Sequence, residues 1–195
     1  MIVFDASGSM AATDVPSPFA TRIDLVQQAL RRMLPIVART RKLGLVVYGP
    51  GKHRNVCQNA DLRFLPRPNA AREILSQVAR LAPAGQTPLT NGVRIAASAL
   101  SVSANSGAIV LLTDGEETCG GDPCFLGHML HKIAPGITVH IIGYKLQTSN
   151  AEPPALAAKC LADETGGYTV NANTLDELIK ALEKTLGCPA VASIP

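Results

Sequence analysis

The chain has 195 residues, 47% of them hydrophobic, with 18 Lys+Arg against 15 Asp+Glu and a formal charge of +3. That length and balance describe one folded domain with a real core and exclude a disordered segment. Dispersed basic residues and 4% aromatic content argue against nucleic-acid binding, and the longest apolar runs fall far short of the ~20 residues a membrane span needs.

Residues 2–5, Ile-Val-Phe-Asp, read as a buried strand that ends in an acid. Residues 11–20 contain two prolines and read as a loop. From there Ile23, Val26, Leu30, Met33 and Leu34 recur at helical spacing, and Pro35 is expected to kink or end that helix. Residues 42–49 form a continuous apolar strand closed by Gly49, and 50–59 are loop. Residues 61–65 alternate polar and apolar, as an edge strand would. An amphipathic helix is expected over 69–81 with Asn69 as its N-cap, then a turn-rich connector, "PAGQTPLTNG", at 83–92. A helix over 93–100 leads to a buried strand at 108–115 that ends in Asp114-Gly115. Residues 122–133 read as a helix capped by Asp122 with Pro123 at its first position, followed by a strand at 136–144. A helix over 152–167 stops at Gly166-Gly167, a short strand follows at 168–170, and a last helix runs 174–186. Thr174 and Glu177 are spaced for a capping box at its start. The domain is therefore placed at 1–187, with 188–195 as a C-terminal tail.

Strands and helices alternate, and most strands are apolar on both faces. That is the pattern of an α/β, Rossmann-like, doubly wound sheet: six strands, mainly parallel, order 3-2-1-4-5-6, one antiparallel edge strand, helices on both faces. Ligands of such sheets sit beyond the carboxyl ends of the strands, where strand order reverses. In this order the strands ending in Asp5 and Asp114 are neighbours there. Ser7 and Ser9 follow Asp5, and the connector at 83–92 brings Thr87 to the same end. Two carboxylates and three hydroxyls make an all-oxygen set, which suits a hard divalent cation. Gly8, between the serines, is expected to let the backbone turn tightly.

"DASGSM" at 5–10, "GQTPL" at 85–89 and "TDGEE" at 113–117 resemble the metal-ion-dependent adhesion site of the von Willebrand factor A domain family. The family pattern is D-x-S-x-S, a distant Thr and a distant Asp. Asp5, Ser7 and Ser9 fall on the first element, Thr87 on the second and Asp114 on the third. "RIDLVQQAL", "LGLVVYG" and "TGGYTV" also resemble the family's usual segments, and "TDGEETCGGDPC" is similar to a bacterial, often exported, branch. The resemblance implies a domain that binds magnesium, with manganese or calcium as the alternative ions, at Asp5, Ser7, Ser9, Thr87 and Asp114. Through that ion it would bind a protein partner presenting an Asp or Glu, with no nucleic acid and no direct membrane insertion. It implies a non-enzymatic adhesion or scaffold module. The alternatives are a metal-dependent hydrolase using the same ion, or a domain whose site is vestigial. Thr90 competes with Thr87, and the G-x-T-P context favours Thr87. Glu116 and Glu117 are expected in solvent or against a partner rather than on the ion.

The five cysteines are Cys57, Cys119, Cys124, Cys160 and Cys188. Cys124, His128 and His131 would share one helix face, with Cys119 nearby, a soft-ligand set that suits zinc. The resemblance favours disulfides instead, because the cysteines recur in the bacterial branch. Four cysteines allow three pairings. Their places in the expected topology favour Cys57–Cys119 with Cys124–Cys160; a local Cys119–Cys124 bridge is the alternative, and Cys188 is left over. Disulfides and the resemblance together imply an extracytoplasmic protein, periplasmic or secreted. Met1 abuts the first strand, so no signal peptide is visible and the start is expected to be a mature boundary.

Enzyme readings find less support. A phosphatase of the haloacid dehalogenase type needs an acid where Ser7 stands, and "GSMA" has no His-Asp pair placed to serve Ser9. There is no Walker-type phosphate loop, and His140, mid-strand, reads as a core or sheet-face residue.

Overall fold

Runs of aliphatic residues at strand spacing and amphipathic runs at helix spacing alternate along the chain, and the fold follows from burying both. The computed structural model describes residues 1–13, 20–103, 106–144 and 155–187. The strands are β1 (Ile2–Asp5), β2 (Leu43–Tyr48), β3 (Ala60–Arg67), β4 (Gly107–Thr113), β5 (Ile137–Tyr144) and β6 (Thr169–Ala172). They lie in the order β3-β2-β1-β4-β5-β6, and every pair is parallel except β2–β3. The expected fold class is therefore what forms. The tail at 188–195, with Cys188, lies outside the described residues.

Side-chain alternation along each strand divides the core into two layers. Ile2 and Phe4 of β1 pack under α1 (Arg22–Val37), α2 (Ala71–Val78) and α6 (Leu175–Leu186). Val3 packs on the opposite face under α3 (Leu89–Ser103), α4 (Pro123–Ile133) and α5 (Ala155–Glu164). Because both faces are covered, β1, β2 and the inner part of β4 are buried along their length, which is why they read as unbroken apolar runs.

Several element boundaries depart from expectation. Helix α1 runs through Pro35 to Val37, because a proline so near the end removes one hydrogen bond and leaves the earlier turns intact. Asn69 does not cap α2; it takes a left-handed turn at φ 56°, and Ala70 stands at the cap without a side-chain bond. Strand β3 extends through Pro66, which an edge strand tolerates. Helix α3 begins at Leu89, so "TNG" is helical rather than turn. There Gly92 faces the sheet, and a Cβ on it would lie 2.8 Å from Tyr48 Cδ1 and 3.1 Å from Val3 Cγ1. Close helix–sheet approach, not a bend, accounts for that glycine. At α6, Thr174 accepts from the Glu177 N–H, but the Glu177 carboxylate takes the Asn173 N–H at 2.6 Å, one residue before the expected partner. His140 is structural: its Nδ1 accepts the Tyr168 N–H at 3.0 Å and the two rings stack.

A candidate metal centre where the strand order reverses

The chain leaves β1 towards α1 on one face of the sheet and leaves β4 towards α4 on the other, so the crevice expected at such a switch point falls between the two strand ends. Asp5 stands at the end of β1 and is fully buried. Its Oδ1 accepts the Ser7 N–H at 2.7 Å, and its Oδ2 accepts the Thr113 hydroxyl of β4 at 2.6 Å. The first bond folds the chain back so that Ser7 and Ser9 come round to the Asp114 side. The Ser9 hydroxyl donates to Asp114 Oδ1 at 2.7 Å, and the Ser7 and Ser9 oxygens are 3.1 Å apart. Ser9 gives its single proton to Asp114, so Ser7 is the donor between the serines. Four of the five expected site residues are thus joined in one hydrogen-bonded cluster.

Thr87 is brought to the cluster by main chain rather than by a side-chain bond to the other four. The Gly8 N–H donates to the Gly85 carbonyl at 3.1 Å, and the Ala84 N–H donates to the Ala6 carbonyl at 2.9 Å. The Thr87 N–H is held by the Thr118 hydroxyl at 2.8 Å, and the Thr118 N–H donates back to the Thr87 carbonyl at 3.1 Å. Thr87 is 5% exposed. Thr90, its rival, turns towards Gly121 in the loop before α4, and its N–H is taken by Glu117 Oε2 at 2.7 Å. Glu117 also accepts the Cys119 N–H at 2.8 Å, so it organises the loop, while Glu116 is exposed.

Two glycines permit this approach, and neither is Gly8. Gly49 and Gly85 have φ of 110° and 79°, and a Cβ on Gly49 would strike the backbone of Ala6 and Ser7. A Cβ on Gly8 would sit 3.5 Å from the Gly85 carbonyl, an ordinary contact. The loops are also stapled. Cys57 is bonded to Cys119, with Cα atoms 5.4 Å apart, and Cys124 to Cys160, at 5.1 Å. The favoured pairing is the one found. It removes Cys124 from any zinc set; among the described residues no group of three or more His, Cys, Asp or Glu is placed to hold a metal. A metal in the crevice would rely on two carboxylates and draw its other oxygens from hydroxyls.

Three residues of the site were not singled out from the sequence. Arg22 opens α1 and its Nη1 donates to Asp114 Oδ2 at 2.8 Å in a buried ion pair. Thr113 donates to Asp5, as above. The Tyr48 hydroxyl is buried beside Asp5, and burial first, then the Asp5 charge, pushes its ionisation well above the usual range. Burial likewise raises the Asp5 pKa to about 6, against the pull of its hydrogen bonds from Ser7 and Thr113.

A doubly wound domain with an acid-and-hydroxyl cluster at its switch point is the class these features define. The family model described as the von Willebrand factor type A domain matches residues 1–117, and the chain belongs to that family. It is 26% identical over 191 residues to YwmD of Bacillus subtilis (strain 168), named only as an uncharacterized protein; the match covers 94% of this chain and 82% of YwmD. Among solved structures, an aerotolerance-related membrane protein from Bacteroides fragilis NCTC 9343 superposes with a TM-score of 0.69 at 18% identity, over 95% of this chain and 96% of that one. Proximal thread matrix protein 1 from the mussel byssus, solved with a zinc-occupied MIDAS motif, gives 0.58 at 19% identity over 95% of this chain; the match spans 43% of that chain. Both likenesses are of fold. No helix among the described residues is long and apolar enough to cross a membrane.

Proposed function

We propose that the domain is a protein-binding module whose contact depends on a divalent cation held by Asp5, Ser7, Ser9, Thr87 and Asp114. The observation that carries this is the Ser9 hydroxyl, which stands 2.7 Å from Asp114 and 3.1 Å from Ser7, and so gathers oxygens from two loops at one point. The donor chemistry fits a hard ion. Asp5 is buried with neutral donors on both its oxygens, so its charge lacks the balancing cation that Asp114 finds in Arg22. A cation bound here would supply an open coordination position for the Asp or Glu carboxylate of a partner. Magnesium is the ion the oxygen set suits best, with manganese or calcium as alternatives; the zinc in the mussel protein's site makes zinc worth titrating as well.

A binding module is favoured over a hydrolase with a serine nucleophile by what surrounds the hydroxyls. Ser9 donates to a carboxylate that an arginine already holds, and among the described residues no histidine or lysine hydrogen-bonds to either serine side chain. The two disulfides support an oxidising, extracytoplasmic setting. Calorimetric titration tests the reading. The wild type should bind one magnesium or manganese ion per chain, and Asp5→Ala and Ser9→Ala should bind neither while keeping the wild-type circular dichroism. Unchanged ion affinity in Asp5→Ala would show that the cluster is not the metal site.

A further inference from the structure

A second feature lies against the metal centre on its β3 side. A groove of about 700 Å³ runs between the β2–β3 connection and the segment after α2. Pro50, Leu81 and Ala82 give it an apolar floor, and Lys52, Arg63 and Arg80 stand on its rim beside His53. All four rim residues are exposed. The one acid lining it, Asp61, already faces Arg63 at 3.8 Å, and Lys52 and Arg80 form no ion pair with any described residue. The rim is anchored, because the His53 N–H donates to the buried Asn59 side chain at 3.1 Å.

The groove and the metal crevice share a wall. Pro50 follows Gly49, and Ala82 leads into Gly85; these two glycines pack against each other and against the Ala6–Gly8 backbone. The opposite flank of the crevice is acidic, with Glu116 and Asp122 exposed on the loop before α4. The metal centre therefore lies between a basic side and an acidic side. We infer that the groove seats the acidic flank of the partner segment whose carboxylate completes the metal centre, which rests on the metal reading above. The occupant is an acidic peptide segment running from the metal towards Lys52 and Arg80, with an apolar side chain on the Pro50–Leu81 floor. A nucleic acid suits the groove less well, because no Phe, Tyr or Trp lines it for base stacking.

The test uses a labelled dodecapeptide with one central aspartate flanked by glutamates, and a control with those glutamates replaced by glutamine. Binding is followed by fluorescence anisotropy in magnesium and in EDTA. The wild type should prefer the acidic peptide by about tenfold at low salt, with the preference fading as salt rises. K52E/R80E should lose that preference while its magnesium affinity, read by calorimetry, stays at the wild-type value. That unchanged titration also reports an intact fold. The inference is overturned if the wild type binds both peptides equally, or if K52E/R80E still prefers the acidic one. It is equally overturned if a single-stranded oligonucleotide displaces the peptide at lower concentration than unlabelled peptide does. Failure of the metal reading looks different: EDTA would leave peptide binding unchanged and the wild type would show no magnesium titration, whatever the groove variant does.

Discussion

Asp5 and Asp114 stand at the ends of neighbouring parallel strands and are linked through the Ser7 N–H and the Ser7 and Ser9 hydroxyls, but their charges are met differently. Asp5 accepts from a backbone N–H and a threonine hydroxyl, both neutral, and burial lifts its pKa to about 6. Asp114 accepts from Ser9 and from the Arg22 guanidinium. One half of the crevice carries its own counter-charge and the other lacks one. With Arg22 counted, the cluster holds one net negative charge, so a bound divalent ion leaves the centre net positive. That residual charge is what would draw a partner's carboxylate.

Removing the counter-charge gives the largest expected effect. Arg22→Met keeps the length of the side chain but leaves Asp114 buried and without its guanidinium. Breaking a buried pair from one side costs about 3–5 kcal/mol, so urea denaturation in EDTA should show a loss of that order. Magnesium should then restore more stability to the variant than it adds to the wild type, because both aspartates now need the ion. A loss under about 1 kcal/mol in EDTA would mean that the pair contributes no more than a surface ion pair.

The Asp5 half was legible in the sequence and the counter-charge was not. β1 and β4 announce themselves because both their faces are buried, and the apolar run of β1 stops at Asp5 and that of β4 at Thr113, one residue before Asp114. Arg22 was hidden because its partner lies 92 positions away, although a local signal existed. Thr21 and Asp24 form a capping box around it, and a cation in the first turn of a helix opposes the dipole unless something else holds it. Thr113 was masked by its place in a buried strand. The chain does turn tightly at Gly8, but without a positive φ there; the close backbone approach belongs to Gly49 and Gly85, a contact between segments distant in the chain that no local pattern encodes. The basic groove was invisible for the same reason: Lys52, Arg63 and Arg80 are dispersed in sequence and meet only on folding.

Neutralising the uncompensated half should have the opposite sign to Arg22→Met. The Asp5 pKa is about 6 in the folded protein against 3.8 ordinarily, so folding favours its protonated form. The stability this contributes is complete below pH 3.8 and is lost as the pH rises through about 6. Asp5→Asn keeps the acceptor for the Ser7 N–H and removes the charge. In EDTA it should match the wild type near pH 4 and exceed it at pH 7 by about 2–3 kcal/mol, read from paired urea melts. It should also bind no magnesium. Equal stability of the two proteins at pH 7 would show that Asp5 carries no such strain.

The smallest effect probes how the Asp5 charge is tolerated at all. Thr113 donates to Asp5 Oδ2 at 2.6 Å, a charge-assisted bond that favours the ionised carboxylate. Its oxygen also accepts the Gly115 N–H at 3.3 Å, so Thr113→Val removes a donor and a weak acceptor with little change in shape. The variant should lose about 1–2 kcal/mol at neutral pH, where the carboxylate is ionised, and nearly nothing at pH 4 apart from the Gly115 bond. Without the donor the Asp5 pKa rises further, so the pH at which magnesium binding reaches half its plateau should move up by about one unit. Thr113→Ser keeps the hydroxyl and should keep the wild-type midpoint. A midpoint that shifts equally in the serine and valine variants would trace the effect to packing at the end of β4 rather than to the hydrogen bond. Arg22→Met leaves the Thr113 donor in place but removes the cation that offsets Asp114, whose charge already raises the Asp5 pKa, so the stability gain of Asp5→Asn at neutral pH should be larger in that background.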